Sequence, residues 1–156
     1  MGKMGGSLQE QASELSLALA WGLVELDDVT RWADCIILEC EEVDAKVCDV
    51  SLATNAKSAL AGLNELAQDS PLWPAAARAL RRMLDIEDLS PKFAATLAKQ
   101  VYFLGMRKDA PEGYQNLMHH WDYLDRAIDG IVGVPEEATR AFVQDVSALV
   151  ERVTDT

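Results

Sequence analysis

The chain has 156 residues, and its 26 acidic against 14 basic side chains give a formal net charge of −12. A chain of this length can bury one sizeable core, so we predict a single helical domain over residues 1–156 with a flexible head at 1–6. Affinity for phosphate backbones comes largely from cationic side chains, and the composition therefore excludes nucleic acids and anionic membranes as expected partners.

The negative charge is concentrated at the two ends of the sequence. Residues 1–50 carry −8, residues 51–108 carry +3 and residues 109–156 carry −7. This pattern favours a basic protein partner, and the alternative is that acidity only keeps the protein soluble. No stretch reaches the roughly 18 apolar residues of a membrane span, and the start lacks the apolar core of a secretory signal. Because the three cysteines also form an odd set that does not suggest a disulfide framework, we expect a cytoplasmic protein.

The first elements are marked by helix caps. Ser7 and Glu10 fit a capping box, which predicts a helix that begins there and stops at Gly22. A second helix is predicted from about Asp27, with apolar residues at helical spacing, and it ends in the acidic pair 41–42.

The next segment, 46–54, is ambiguous, because its alternation and β-branched residues also allow a strand, although one strand would have nothing to pair with. Caps and proline starts then predict helices over 56–68, 72–87, 91–107, 111–132 and 135–153. The sequence thus predicts an all-α fold, a single globular bundle of about seven to eight helices.

Three cysteines, Cys35, Cys40 and Cys48, form an odd set without a C-x-x-C pair. We expect reduced thiols that are buried or half-buried rather than a disulfide framework. Cys35 and Cys40 point in directions about 140° apart on one predicted helix, which disfavours a shared metal ion.

The segment 119–129 holds two histidines and three aspartates. A helical wheel predicts a buried stripe of Leu117, Trp121, Leu124, Ile128 and Ile131. The same wheel places the aspartates on one flank, His120 on the opposite shoulder and His119 facing outward. Two histidines about 100° apart are not expected to chelate one ion.

One enzyme hypothesis remains, a Mg²⁺-dependent all-α nucleotide hydrolase. Asp122, Asp125 and Asp129 would hold the metal if Glu39 and Glu42 faced them from another helix. The alternative is an ordinary solvated acidic face. The sequence has no glycine-rich phosphate loop and no nucleophile elbow, so we predict no catalytic residue, no cofactor and no metal ligand.

The larger side chains have structural alternatives. Trp32 and Trp121 are predicted core anchors, whereas Trp73, at a helix start, is either packed locally or part of a partner surface. Arg78, Arg81 and Arg82 share one helix face, where they either pair with nearby acids in sequence or clamp an acidic neighbouring helix.

One stretch resembles a known pattern: Gly22-Leu23-Val24, then Asp28-Val29, Trp32-Ala33-Asp34 and Ile36-Ile37, with Asp49-Val50-Ser51-Leu52-Ala53 further on. It is similar to small helical bacterial proteins, some uncharacterised and some assigned as immunity proteins of polymorphic toxin systems, over about 30 residues. The resemblance implies an all-α fold and a non-catalytic role in which the protein covers the active surface of a toxin.

The leading hypothesis is therefore a cytoplasmic protein-binding module that takes a basic partner on an acidic face, and the resemblance implies that it is of the immunity type. The candidate partner-binding residues are Glu39, Glu41, Glu42, Asp122, Asp125, Asp129 and Trp73. The alternatives are the Mg²⁺-dependent hydrolase and a structural homo-oligomer.

Overall fold

The computed structural model of the chain describes residues 4–154, and within that range it forms helices and no strand, which confirms the all-α class. The helices are α1 (Leu8–Ala20), α2 (Leu26–Glu39), α3 (Ala45–Ser51), α4 (Ala56–Ala67), α5 (Leu72–Leu84), α6 (Pro91–Gly105), α7 (Glu112–Gln115), α8 (His119–Ile128) and α9 (Pro135–Thr154). None of these described helices is long and apolar enough to cross a membrane.

Three of the predicted helix starts are confirmed by their caps. The side chains of Ser7, Asn55 and Ser90 each accept a hydrogen bond from the backbone N–H three residues on, at 3.2, 2.8 and 3.1 Å. The ambiguous segment 46–54 is helical rather than extended over most of its length, because Asp44 caps α3 by accepting from the Lys46 N–H at 2.8 Å.

The chain divides into two compact units, one ending at Ala79 and the other starting at Leu80. In the first, here called unit 1, α4 packs against α1, α2 and α3, and the fully buried side chains include Leu15, Val29 and Leu63. The single-domain prediction stays a prediction, and part of the predicted flexible head, residues 1–3, lies outside the described residues.

Within unit 1, Arg78 on α5 reaches two carboxylates of α1. Its guanidinium lies 3.8 Å from Glu10 and 3.5 Å from Glu14, whose side chain is almost wholly buried. A buried carboxylate needs such a counter-ion to offset its desolvation. Two roles were open for Arg78, Arg81 and Arg82, and the contacts of Arg78 support the second, a clamp on an acidic neighbouring helix.

In the second unit, here called unit 2, α6 packs against α7, α8 and α9, and α8 against α9. The helix predicted over 111–132 is wrong, because the chain breaks between α7 and α8. Residues 117, 118 and 120 bond backbone carbonyls three residues back, at 3.1 to 3.2 Å, which tightens the turn. The break brings the Met118 side chain so close to Gly105 that a Cβ there would lie 2.6 Å from Met118 Cγ.

The break changes which side chains of this segment are buried. Leu117 and Leu124 are buried as the wheel predicted, but Trp121 is only half-buried and Ile131, beyond the end of α8, is 62% exposed. Trp32, the other predicted core anchor, is buried. His119 is exposed as the wheel predicted, whereas His120, expected on the shoulder opposite the aspartates, is buried.

Candidate functional site

A cavity of about 520 Å³ in unit 1 lies between α1, α2 and the start of α3, and we call it the acidic groove. Its apolar lining comes chiefly from Leu8, Trp32, Ile36, Val43 and Val47. Its charged lining consists of Asp28, Glu39, Glu42, Asp44 and Arg31. Apolar surface bordered by several carboxylates is suited to a ligand that is both hydrophobic and cationic.

Local structure fixes the inner wall of the acidic groove. The Trp32 indole is 7% exposed and donates its Nε1–H to Gln11 Oε1 at 2.9 Å, which ties α2 to α1. Asp28 accepts from the Glu25 backbone N–H at 2.9 Å as part of the capping box that begins α2. The aromatic wall and one rim carboxylate are thus held in place before any ligand arrives.

Electrostatics make the rim strongly negative. Four carboxylates face one cation, Arg31, and that cation is itself paired with Asp27 one turn earlier on α2. Glu39 is the last residue of α2, and Glu42 lies in the exposed loop that follows. Because Arg31 is already paired with Asp27, the lining of the acidic groove carries more negative than positive charge.

The predicted partner residues fall on more than one surface. Glu39 and Glu42 line the acidic groove and Glu41 is exposed between them. The three aspartates at 122, 125 and 129 are exposed at α8 of unit 2, and Asp122 lies 3.7 Å from Arg126. Trp73 is half-buried in the first turn of α5.

The three cysteines are free thiols as predicted, but the prediction that they are buried or half-buried is wrong: Cys35, Cys40 and Cys48 are all exposed. The buried stripe of α2 is narrow, with Val29, Trp32 and Ala33 inside, and Cys40 already lies past the helix end. Cys35 and Cys40, although on different faces, both line the acidic groove.

A second cluster lies in unit 2, where His119 and His120 of α8 meet Asp145 of α9. His120 Nε2 is 2.8 Å from Asp145 Oδ2, and the two imidazole rings are 4.1 Å apart between centroids. His120 is 3% exposed and packs against the Phe142 ring, whereas His119 and Asp145 are exposed. We call these three residues the His–Asp cluster.

Burial sets the protonation of this cluster. It lowers the pKa of His120, an effect reinforced by the neighbouring His119 and opposed by the hydrogen bond to Asp145. The uncharged imidazole, with one nitrogen bearing a proton and the other a lone pair, is therefore the favoured form. Its Nε2–H can donate to the Asp145 carboxylate, as the 2.8 Å separation requires.

The sequence prediction missed this cluster for a physical reason. The helical wheel places the two histidines about 100° apart, and both do lie on one helix, α8, but their side chains turn toward each other so that the ring centroids are 4.1 Å apart. Asp145 lies 25 residues from His120 and reaches it only because α8 packs on α9. The one signal of this cluster in the sequence is the adjacent histidine pair.

Comparison of the chain with models of known protein families finds no match, and comparisons with curated proteins and with solved structures find none either. The resemblance to immunity-type proteins, the Mg²⁺-dependent hydrolase and the homo-oligomer therefore stay predictions. For the hydrolase, the group of His, Cys, Asp and Glu side chains in residues 4–154 whose ligand atoms converge is the His–Asp cluster and contains none of the predicted aspartates.

Proposed function

We propose that the protein is a cytoplasmic binding module that takes a basic protein partner in the acidic groove, in the manner of an immunity protein that neutralises a toxin. The observation that carries the proposal is the combination of a buried Trp32 wall with four rim carboxylates around one cavity. A lysine or arginine side chain of the partner would lay its aliphatic stem on the apolar lining and its charge on the rim.

The charge distribution favours unit 1 as the binding surface. Residues 1–79 carry 13 acids and 5 bases, a net charge of −8, whereas residues 80–156 carry 13 acids and 9 bases, a net charge of −4. Complementary charge accelerates association and selects the partner, while the apolar contact supplies most of the affinity. Glu39 and Glu42 are therefore better contact candidates than Asp122, Asp125 and Asp129.

A pair of charge-reversal variants tests the proposal. The double change Glu39→Lys and Glu42→Lys reverses two groove carboxylates, and the matched control, Asp122→Lys with Asp125→Lys, makes the same change in net charge on α8. A partner isolated from the native host and identified by mass spectrometry is titrated against each protein by calorimetry at two salt concentrations.

We expect the groove variant to weaken binding at least tenfold and the control to change it less than threefold, with wild-type affinity falling as salt rises. The Trp32 indole N–H resonance should shift on binding, because this group lies in the groove wall. Equal losses in the two variants, or binding that ignores salt, would overturn the assignment to the acidic groove.

A further inference from the structure

We propose that the His–Asp cluster binds one divalent transition-metal ion, with Zn²⁺ as the representative ion. The ligand atoms of His119, His120 and Asp145 all lie within 4.8 Å of one another. Two imidazoles and one carboxylate are a ligand set that suits Zn²⁺ and neighbouring ions such as Co²⁺ and Ni²⁺. Mg²⁺ and Ca²⁺ prefer an all-oxygen set and do not fit it.

The spacing of the three groups is close to what a metal ion needs. Ligand atoms about 2.0–2.1 Å from a tetrahedral Zn²⁺ lie roughly 3.3 Å from each other. The cluster brackets this value, from the 2.8 Å between His120 Nε2 and Asp145 Oδ2 up to the 4.8 Å limit. The 2.8 Å contact is a hydrogen bond in the metal-free protein, so a metal ion bound to both atoms would replace it, with the imidazole proton held at Nδ1 instead. The two imidazole centroids are 4.1 Å apart, so His119 has to turn away from His120 before both rings can direct a nitrogen at one ion. His119 and Asp145 are exposed and have room to rotate.

The surroundings of the cluster distinguish it from a chance surface pair. His120 is held between α8 and α9 against Phe142, so one ligand is anchored in the protein interior. His119 and Asp145 face solvent and complete the site from outside. Three protein ligands leave the fourth position of a tetrahedral ion open to water or to an incoming group, which makes this an accessible site rather than a closed structural one.

The exposed thiols are competing ligands, so the test begins from a variant without them. With Cys35, Cys40 and Cys48 all replaced by serine, ZnCl₂ is titrated by calorimetry and CoCl₂ is followed by visible absorption. We expect one equivalent per chain, a four- or five-coordinate Co²⁺ spectrum, and a higher melting temperature with bound Zn²⁺. Histidine ring NMR should show both imidazoles perturbed by Zn²⁺.

Single replacements of the two exposed ligands test whether these side chains hold the ion. His119→Ala and Asp145→Asn should each lower Zn²⁺ affinity at least tenfold, while the control Asp122→Asn, an exposed carboxylate on the same helix as the histidines, leaves it within twofold. These three positions are exposed, so the variants are expected to fold, which circular dichroism checks. Absence of Zn²⁺ binding at about 1 mM, or binding that His119→Ala leaves unchanged, would overturn the site.

Discussion

Tyr114 shows what burial does to a single titratable group. Its side chain is 1% exposed in unit 2, and burial raises the pKa of the phenol to about 12 from an ordinary value of 10. The folded protein therefore holds the phenol in its neutral form. Since the unfolded chain ionises first as pH rises, the contribution of Tyr114 to stability is complete below pH 10 and is lost between pH 10 and 12.

The matching prediction compares wild type with Tyr114→Phe. Between about pH 9 and pH 11, urea unfolding should show the wild type losing about 1.4 kcal/mol more stability than the variant. The reason is that the phenol of Tyr114 ionises when the wild type unfolds, and phenylalanine has no such group. Lysines titrate in both proteins and cancel in the difference. If the two proteins lose stability in parallel, the buried phenol is not protected from ionisation.

At the scale of elements, the contact between α3 and α4 depends on one glycine. Gly62 lies in the middle of α4, where glycine usually weakens a helix by about 1 kcal/mol relative to alanine. A Cβ at this position would meet Val50 Cγ2 at 2.7 Å, and Val50 is fully buried on α3. The residue that weakens α4 locally is thus the one that allows α3 to approach it.

Gly62→Ala is therefore expected to destabilise the protein by about 1–3 kcal/mol, although helix propensity alone predicts a gain. The double variant Gly62→Ala with Val50→Ala should be less destabilised than the sum of the two single changes, since removing the valine methyl groups relieves the overlap. Chemical denaturation of all four proteins measures this. Additive effects, or a stabilising Gly62→Ala, would contradict the close approach.

The elements themselves could largely be predicted from the sequence, because their starts are local. Ser7, Asn55 and Ser90 cap helices through bonds to residues three positions away, and such spacing is visible in a sequence. The break before His119 has no such local signal, and its contacts are distant in sequence, since Tyr114 of α7 and Met118 of the turn lie against Gly105 of α6. Glu39 and Glu42, two of the predicted partner-binding residues, line the acidic groove, but the groove itself could not be predicted because its apolar lining needs α1, α2 and α3 to be brought together.

At the scale of the whole molecule, the excess of negative charge lowers the stability of the folded state. The formal net charge is −12, and the like charges repel one another more in the compact state than in the expanded unfolded chain. Several of the ion pairs opposing this are solvent-exposed, among them Arg107–Asp109 at 3.3 Å and Arg126–Asp122 at 3.7 Å, whereas the pair of Arg78 with Glu14 is more buried. Exposed pairs contribute only about 0–1 kcal/mol each.

Self-repulsion should therefore outweigh the surface pairs, and salt should stabilise the protein. Between about 10 mM and 150 mM NaCl the screening length falls from roughly 30 to 8 Å, so we expect the melting temperature, measured with a metal chelator present, to rise by a few degrees. The variant Glu41→Gln with Asp129→Asn, both at exposed positions, reduces the net charge to −10 and should show a smaller rise. A melting temperature that falls with salt would mean that the ion pairs dominate instead.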